Sequence, residues 1–542
     1  MMAASMESHC LRASELPHTS KLYSKYLEDF PSVARFYSHP PSEEGLLASA
    51  HEARVDAATR GAVVEILREQ NGRLGADAAA FRNLDRLAAG ALAIVSGQQV
   101  GLFSGPAYSF YKAITALRVA QHLTDLGVDA VPIFWMATED HDLAEVNHTH
   151  WLGRSRALQR LDIPPSPEAV ARPVGEVPLG DSVMRAVESA AQLMDGPGAS
   201  EISAALAEAY SPAQTYGFAF GRLLTRLLAG RGLVVLDPLE PRLHRLGAEI
   251  YRRALAESGE LADALLARGK QLDRGAFHSQ VKVTESSTLL FVRVDGQRVA
   301  LRRRSRDFVA GRKAFSAAEL NAMLAESPES FSANVLLRAV VQDVLLPTAA
   351  YIAGPAETAY FAQGEVIYRR LLGRMPVILP RAGFTLVEPH VARLLKKYRL
   401  ELPDLLRGRQ HLRRKLEREC LPPGLARKFA AGEKDLQKLL RGLRAPVGKL
   451  DMTLLGALDT AERKMLYQFL KLRARAGRAQ NFRTGVLDAH ERMLLDALFP
   501  HHGPQERSLN LLPFLARHGL GLLDELLHRT HVRNSQHQVL HL

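Results

Sequence analysis

Residues 94–147 restrict the possible folds more than any other part of this 542-residue chain. An apolar run ends in the glycine-rich loop 96–106, a helical pattern follows, and a second apolar run ends in the polar residues 139–142. A strand, a loop, a helix and another strand in this order form the unit from which parallel α/β sheets are built. Such sheets bind ligands beyond the carboxyl ends of their strands. The pattern therefore predicts a parallel α/β fold with its functional site at that edge.

The length of the chain predicts two or three domains, because a single hydrophobic core stops growing well below this size. Only two cysteines occur, Cys10 and Cys420, without the CxxC spacing of a zinc site. They exclude a disulfide framework. The N-terminal region has no apolar segment of the signal-peptide type, and no stretch is long enough to cross a bilayer. We expect a cytoplasmic protein with no membrane partner.

The net charge of +12 is concentrated in one segment, since residues 391–480 carry 23 Lys and Arg against 9 Asp and Glu. Such a segment either binds nucleic acid or a nucleotide, or forms the solvated, arginine-rich face of long helices. No aromatic stacking pattern, zinc-finger spacing or groove-reading helix accompanies the charge. The solvated face is therefore favoured, and nucleic acid is not expected as a partner.

The core is predicted to span residues 1–385, with a helical N-terminal part and insertions at about 153–215 and 258–330. Prolines that include Pro167 mark the first insertion. In the second, apolar–polar alternation on both sides of Asp295-Gly296 predicts a β-hairpin with a type I′ turn. This hairpin suits a small inserted sheet better than a strand of the parallel sheet.

Residues 386–500 are almost wholly helical in pattern, with interruptions predicted at Pro422-Pro423 and Pro446. An antiparallel helical hairpin or coiled coil is the simplest arrangement of such helices. Because long, exposed helices usually find a partner chain, a homodimer is expected. Residues 501–542 are expected to fold back on the core.

Three glycines in the first loop, Gly97, Gly101 and Gly105, indicate a site for a negatively charged group. Glycine lacks the Cβ that would block a ligand, and the helix that follows offers free N–H groups and a partial positive charge. Lys112 shares a helix face with Tyr108 and is close enough to reach a phosphate. In the alternative interpretation, Lys112 is a surface residue and the glycines only mark a strand–helix turn. The spacing matches neither of the named glycine-rich nucleotide motifs.

A charged cluster, Glu139-Asp140-His141-Asp142, follows the second apolar run, and Asn147 comes soon after it. Three carboxylates at this spacing repel one another unless a cation joins them. The candidates are a metal-bound nucleotide, a substrate ammonium or a neighbouring arginine. An acid at the end of a strand also serves as a general base when its pKa is raised.

Two other interpretations of this cluster remain open. The acids could form the solvated cap of a helix. Alternatively, His141, His148 and His150 could bind zinc, although their spacing matches no known ligand pattern. Trp135, directly upstream, either walls a pocket or fills the core.

A second strand–Gly-Pro–helix pattern occupies residues 351–360, with Glu357 and Tyr360 one turn apart. Upstream of it, Arg338 is a charged residue in a largely apolar segment that is predicted to be helical. Two such helix starts in one sheet predict two lobes that face a single cleft, with Gly354 at the second helix start. Tyr360 and Arg338 are equally consistent with the edge of the core.

These motifs together resemble a known family. In chain order they are SGQQVGLFSGPAYSFYKAITA, VPIFWMATEDHDLAEVNH, LPTAAYIAGPAETAYFAQ, MPVILPR and PQERSLN. They closely resemble the BshC family, the proposed cysteine ligases of bacillithiol biosynthesis, over essentially the whole chain. The resemblance implies a Rossmann-like core with inserted connecting-peptide elements and a helical coiled-coil domain that supports dimerisation. It also implies an adenine-nucleotide site between core and coiled coil.

The activity implied by the resemblance is the addition of cysteine to glucosaminyl malate, through an amide with the glucosamine nitrogen, as the last step of bacillithiol formation. ATP or ADP, with Mg²⁺, is the implied cofactor, and no structural metal is expected. The chain departs from the family pattern at Ala339, Ala353 and Ala356. It also lacks the His-x-Gly-His and KMSKS motifs of the class I aminoacyl-tRNA synthetases, to whose core the family is similar.

On this basis the loop 97–105 and Lys112 are predicted to face a carboxylate or phosphate, and the acidic cluster to bind the cysteine ammonium or deprotonate the sugar amine. The predicted catalytic residues are Asp140, His141, Asp142 and Lys112. The predicted substrate-binding residues are Gly97, Gln98, Gln99, Gly101, Gly105, Tyr108, Trp135, Glu139, Asn147, Arg338, Gly354, Glu357 and Tyr360. Two rival functions are an ATP-dependent ligase or nucleotidyl transferase for another small amino or sugar substrate, and a dimeric coiled-coil scaffold that binds nucleic acid.

Overall fold

The computed structural model of the chain describes residues 8–165, 169, 171–419 and 421–542. Pro167 and Cys420 lie outside the described residues. The chain divides into two compact units: a core of His9–Thr385 with Glu506–Val539, and a helical unit of Leu386–Gln505 with Leu540–Leu542. Among the described residues, none of the helices combines the length and the apolar character needed to cross a lipid bilayer.

The strands of the described residues form two five-stranded sheets, one three-stranded sheet and one pair. They are β1 (Ser8–Arg12), β2 (Leu92–Gln98), β3 (Ala130–Met136), β4 (His148–Leu152), β5 (Leu158–Asp162), β6 (Val234–Leu236), β7 (Ser287–Val294), β8 (Gln297–Arg304), β9 (Asp307–Ala310), β10 (Lys313–Phe315), β11 (Phe331–Ala333), β12 (Thr348–Ala353), β13 (Val377–Pro380), β14 (Gly383–Val387) and β15 (Gln536–His541). The three-stranded sheet has the order β1–β15–β14, and the pair is β4–β5.

The α-helices are most numerous in the core and longest in the helical unit. They are α1 (Lys21–Glu28), α2 (Glu43–Glu52), α3 (Ala57–Arg73), α4 (Ala78–Ala89), α5 (Tyr108–Asp125), α6 (Leu143–Val146), α7 (Ser182–Leu193), α8 (Ala199–Ala209), α9 (Tyr216–Leu227), α10 (Pro241–Ala256), α11 (Ser258–Arg274), α12 (Ala317–Glu326), α13 (Val335–Leu345), α14 (Pro355–Leu371), α15 (Pro389–Tyr398), α16 (Leu402–Leu406), α17 (Arg409–Glu419), α18 (Pro423–Leu450), α19 (Leu454–Thr484), α20 (Val486–Leu498), α21 (Gln505–Ser508), α22 (Leu512–His518) and α23 (Gly521–His528).

The parallel sheet of the core has the order β13–β12–β2–β3–β6, and every neighbouring pair in it is parallel. Its strands are continuous apolar runs such as Ala130–Met136, all of whose residues are buried. This composition is expected where helices cover both faces of a sheet. The predicted α/β fold with a Rossmann-like core is therefore confirmed.

The two strand–Gly-Pro–helix units lie side by side, because β2 pairs directly with β12. β2 leads through a loop to α5, and β12 leads through Gly354 to α14. Since both strands run in the same direction, the loops that follow them open at the same edge of the sheet. β3, the other neighbour of β2, delivers residues 137–142 to that edge as well.

The second five-stranded sheet has the order β10–β9–β8–β7–β11 and is antiparallel throughout. Its central hairpin turns at Asp295 and Gly296, with φ angles of 50° and 78°, and pairs Val294 with Gln297. A type I′ turn requires positive φ at both central residues, and Asp-Gly tolerates it well. The predicted hairpin is confirmed, and it belongs to a sheet separate from the parallel one.

The segment 506–539 supplies backbone and side-chain partners to the loop between β2 and α5. The carbonyl of Leu509 accepts the N–H of Ala107 at 2.8 Å, and the side-chain amide of Asn510 donates to the carbonyl of Phe103 at 2.7 Å. Phe103 and Ser104 adopt positive φ angles of 52° and 74°. Such strained backbone persists only where surrounding contacts hold it, and this segment provides them.

The helical unit contains an antiparallel hairpin of α18 and α19. Phe429 packs against Phe469 with ring centroids 5.5 Å apart, and Arg444 donates to Asp459 at 2.6 Å. The predicted interruption at Pro446 is wrong, because α18 continues through it to Leu450. A proline removes one N–H bond to the residue four positions earlier. Here that residue is Gly442, which is exposed, so water can bond its carbonyl.

Many basic side chains of the helical unit are paired with acids of the same unit. Arg409 binds Glu491 at 2.8 Å, Arg413 contacts both Glu491 and Asp488, and Lys415 lies 2.6 Å from Asp404. The excess of positive charge in this segment is therefore partly neutralised where it lies.

Candidate active site

A cavity of about 590 Å³ opens at the carboxyl edge of the parallel sheet. It is lined by the residues that follow β2, β3 and β12, by the starts of α5 and α14, and by the β7–β8 hairpin. Of the residues predicted from the sequence, those that line it are Gly97, Gln98, Gln99, Tyr108, Lys112, Trp135, Glu139, Asp140, His141, Arg338, Gly354, Glu357 and Tyr360.

Lys112 links the two strand–helix units beneath the cavity. Its Nζ lies 2.5 Å from Glu357 Oε2, and it donates to the carbonyl of Gly97 at 2.7 Å and to Gln98 Oε1 at 2.9 Å. The side chain is 4% exposed, and this burial lowers the pKa of Lys112, although Glu357 acts in the opposite direction. Because an ammonium has three N–H donors and each has a partner, Lys112 holds the loops together rather than meeting a phosphate.

The carboxylate of Glu357 accepts hydrogen bonds from several residues at the start of α14 and the end of β12. Its Oε2 accepts the N–H of Gly354 at 2.7 Å, and its Oε1 accepts the hydroxyl of Tyr351 at 2.8 Å. Arg338 donates to the hydroxyl of Tyr360 at 3.2 Å. The Arg338 guanidinium also lies 5.6 Å from the ring centroid of Tyr351. Arginine and tyrosines therefore form one polar wall of the cavity.

A second part of the cavity lining, the acidic wall, comes from Glu139, Asp140 and His141, which have different partners. Asp140 accepts the side-chain amide of Gln99 at 2.8 Å, and its other oxygen accepts the N–H of His141 at 2.7 Å. His141 Nδ1 lies 3.2 Å from an Nη of Arg298. Arg298 is therefore a cation beside this cluster, and a neighbouring arginine was one of the candidates considered from the sequence.

Glu139 lies deepest of the three acids that line the cavity. Its side chain is 12% exposed, and its Oε1 lies 3.6 Å from His244 Nε2. Burial raises the pKa of Glu139, although His244, Arg298 and Arg338 oppose that effect. Among the described residues its Oε1 has no hydrogen-bond partner.

Sequence reasoning missed a set of basic residues that line the cavity: Lys282, Arg298, Arg302, Arg381 and Arg507. Arg298, Ala300 and Arg302 occupy alternate positions of β8, so they share one face of the hairpin. That alternation was visible in the sequence. Arg381 and Arg507 fall inside the quoted segments MPVILPR and PQERSLN, but no local pattern tied them to the cavity.

These basic residues differ in whether a carboxylate already neutralises them. Arg381 is buried and holds Glu506 through two bonds of 2.9 and 2.6 Å. Lys282, Arg302 and Arg507 are exposed, and none of the three is paired with an acid within the described part of the chain. They are therefore the cations that can bind an incoming carboxylate or phosphate.

Four predicted site residues do not line the cavity. Gly101 and Gly105 pack against each other, and a Cβ on Gly101 would lie 2.9 Å from the Cα of Gly105. These glycines are required by the fold of the loop itself. Asp142 accepts the N–H of Glu145 and caps α6, as the helix-cap interpretation proposed. Asn147 donates to the carbonyl of Ile163 at 3.1 Å and so closes a local turn.

The two helix starts offer fewer free donors than the sequence suggested. The N–H of Ala107, at the start of α5, is bound by Leu509, and that of Gly354 is bound by Glu357. No group of three or more His, Cys, Asp or Glu in the described ranges is arranged to hold a metal ion, which includes the histidine set considered for zinc. The arrangement instead offers exposed cations, a buried acid and an apolar wall from the hairpin.

Comparisons with known proteins cover nearly the whole chain. The model "Bacillithiol biosynthesis BshC, N-terminal Rossmann-like domain" matches residues 6–382, and "Bacillithiol biosynthesis BshC, C-terminal coiled-coil domain" matches residues 384–542. A protein of Koribacter versatilis is 43% identical over 517 residues, which cover 95% of this chain and 96% of that protein. A protein of Solibacter usitatus is 37% identical over 537 residues, which cover 99% and 100%. Both carry the name "Putative cysteine ligase BshC".

Proposed function

This chain belongs to the BshC family of bacillithiol biosynthesis, and from that premise we propose that it is a cytoplasmic ligase that joins cysteine to glucosaminyl malate. The bond formed is an amide between the cysteine carboxyl group and the glucosamine nitrogen, and it completes bacillithiol. The observation that supports this proposal is a single cavity whose lining contains both exposed cations and carboxylates.

The reaction needs an activated carboxyl group, because a free carboxylate does not acylate an amine at neutral pH. When bound, ATP with Mg²⁺ supplies the phosphoryl or adenylyl group that makes the cysteine carboxyl reactive. Lys282, Arg302 and Arg507, which no acid of the described residues neutralises, fit such phosphates, since Lys and Arg are the usual phosphate partners in proteins. The same three residues also fit the carboxylates of the malyl group.

The acidic wall is suited to the nitrogen groups of the two substrates. Cysteine and glucosamine each carry an ammonium group, and Asp140 with Glu139 places negative charge where such groups can bind. Trp135 and the hairpin residues Leu289 and Phe291 add apolar surface to the same cavity. Holding the amine beside the activated carboxyl converts a bimolecular reaction into an effectively unimolecular one.

The direct test is reconstitution of the reaction with the purified chain, cysteine, glucosaminyl malate, ATP and Mg²⁺. Mass spectrometry should detect the cysteinyl amide, with one nucleotide cleaved for each amide formed. ATP cleavage that responds to another amine acceptor but never to glucosaminyl malate would instead identify a ligase of different substrate. In cells that lack the gene, bacillithiol should disappear and glucosaminyl malate should accumulate.

Substitution of the acidic cluster tests the assignment of the cavity. Asp140→Ala and His141→Ala should each lower kcat/KM for amide formation by at least about 10-fold, since each removes a group that orients substrate. Asp85→Ala, which removes an exposed carboxylate paired with Arg68, is the matched control and should behave as wild type. Full ligase activity in folded Asp140→Ala and His141→Ala would reject these assignments.

A further inference from the structure

Glu139 differs from every other acid of the cavity in having an unsatisfied oxygen. Its Oε1 is buried without a hydrogen-bond partner among the described residues. By contrast, both oxygens of Asp140 accept hydrogen bonds, and Glu357 is bound by Lys112, Tyr351 and Gly354. A buried polar group normally has a partner, and one that lacks it calls for an explanation.

Glu139 borders two cavities of the core. It lines the main cavity and also a smaller one of about 110 Å³, whose other polar lining includes Glu176, His244 and Glu329. Trp135, which is 2% exposed, also lines the main cavity, and its indole N–H has no partner among the described residues either. Both residues that carry these unsatisfied atoms therefore border the cavity in which substrate is proposed to bind.

The groups that surround Glu139 come from several elements. His244 lies on α10 and contacts Tyr251 at 3.4 Å through its other nitrogen. Arg298 and Arg293 on the hairpin and Arg338 on α13 lower the pKa of Glu139, but less than burial raises it. Asp237, directly after β6, is a second buried acid. The negative charge of Glu139 contributes to raising the pKa of Asp237.

His141 is less suited than Glu139 to accept a proton. An N–H of Arg298 points at His141 Nδ1 from 3.2 Å, so a cation already occupies the lone pair on that side. His141 is also 40% exposed, where water screens its charge. A general base works best when its pKa lies near the working pH, and among carboxylates this requires burial of the kind that Glu139 has.

We propose that Glu139 is the general base of the ligase reaction and accepts a proton from the glucosamine ammonium, with His244 as its positioning residue. The proposal rests on the proposed function and names the group that the acidic wall contributes. The ammonium nitrogen passes one proton to the Glu139 carboxylate and becomes a neutral amine. Its lone pair then forms the bond to the activated cysteinyl carbon, the bond from that carbon to the phosphate oxygen breaks, and the second proton leaves with the phosphate.

The variant Glu139→Gln tests the proposal because it keeps the shape of the side chain and removes the basic oxygen. General-base catalysis contributes about 100- to 10,000-fold, so kcat/KM for amide formation should fall by at least about 100-fold. Activation of cysteine, followed as cysteine-dependent isotope exchange into ATP, should remain within about 3-fold of wild type, since it needs no amine. Glu208→Gln, which removes a carboxylate paired with Arg222 on the surface, is the control and should match wild type in both assays.

The pH profile separates a base from a structural residue. In the wild type, kcat/KM should rise with pH as Glu139 loses its proton, at a pH above the usual value for glutamate, and Glu139→Gln should lack this rise. His244→Gln removes a group that lowers the pKa of Glu139, so the rise should move to higher pH. An unchanged profile in both variants would overturn the proposal.

The outcomes distinguish this proposal from the function on which it rests. If the wild type forms no amide from glucosaminyl malate, the proposed function fails and the role of Glu139 fails with it. If the wild type forms the amide and Glu139→Gln does so equally well, only the role of Glu139 is overturned. Loss of both amide formation and isotope exchange in Glu139→Gln would assign it to structure and would also overturn the proposal.

Discussion

Lys112 shows how one residue connects two parts of the chain that are far apart in sequence. It is held by the carbonyl and side chain of the β2 loop and by the carboxylate of Glu357. The sequence correctly predicted that Lys112 lies beside the glycine loop, because its helix position relative to the loop is a local property. It did not predict Glu357 as its partner, because no local pattern reports which strands become neighbours.

Lys112→Met should lower the free energy of unfolding by about 3–5 kcal/mol, because it leaves the carboxylate of Glu357 buried without its counter-charge. The double variant Lys112→Met with Glu357→Gln should recover part of that loss, since no unpaired charge remains. Thermal unfolding followed by circular dichroism measures both. A double variant less stable than the single variant would contradict a role as a paired, buried link.

The pair Arg381–Glu506 gives a pH dependence of stability whose sign follows from the pKa shift. Burial alone would raise the pKa of Glu506, but Arg381, at 2.6 Å, acts with His537 and the N–H of Phe384 to hold that pKa below its usual 4.5. A carboxylate with a depressed pKa stabilises the fold above its unfolded-state pKa, and this contribution is lost as the pH falls through the folded-state value.

Glu506→Gln should therefore cost about 3–5 kcal/mol at neutral pH, where Arg381 is left buried without its partner. The difference from wild type should shrink as the pH is lowered below 4.5. Melting temperatures measured from neutral to acid pH test this, with the surface variant Glu208→Gln as control. A difference that stays constant over the whole range would contradict the assignment.

At the scale of elements, the sequence predicted what short-range patterns determine. The two strand–Gly-Pro–helix units and the hairpin at Asp295-Gly296 were identified because turn residues and apolar periodicity are local. The sequence did not predict that β8 of this hairpin brings Arg298 and Arg302 to the cavity. The packing of a hairpin on a sheet that is distant in sequence depends on the whole core. The helix break predicted at Pro446 was wrong for a related reason. The prediction did not take into account that the carbonyl left without an N–H partner belongs to Gly442, which is exposed to water.

Pro446→Ala should stabilise α18, because it restores one N–H to the helix and removes a steric conflict. A proline inside a helix is unfavourable by about 3 kcal/mol relative to alanine. Because water can already bond the carbonyl of the exposed Gly442, we expect the free energy of unfolding to rise by roughly 1–3 kcal/mol. Thermal unfolding of the full chain measures the effect. Pro389→Ala, at the first position of α15, is the control and should change stability by less than about 0.5 kcal/mol, because proline is tolerated there.

At the scale of the whole molecule, the candidate active site lies in the core, and the helical unit exposes large apolar side chains. Leu439, Leu450, Met452, Tyr467 and Phe482 are 61–94% exposed on or between α18 and α19. Large apolar side chains this exposed favour a partner chain that covers them. We propose that a second copy of the chain covers them, as the resemblance implied, and that the protein is a homodimer.

The double variant Leu439→Glu with Tyr467→Glu should convert the dimer to a monomer, because it places charges where apolar contact is required. Light scattering coupled to size-exclusion chromatography gives the mass directly. Met184→Glu, which alters an exposed apolar residue of the core, should leave the mass unchanged. A wild-type protein that is monomeric at micromolar concentration would refute the dimer.

The bonds from Leu509 and Asn510 to the loop beside the cavity also affect when the protein becomes competent during its synthesis. Ribosomes deliver residues 94–107 long before residues 509–510, and contacts between such distant positions form slowly. A nascent chain therefore lacks these partners of the loop beside the cavity until translation is almost complete. Truncated products of interrupted translation will lack these bonds, so we expect the proposed ligase activity only in chains that extend through this segment.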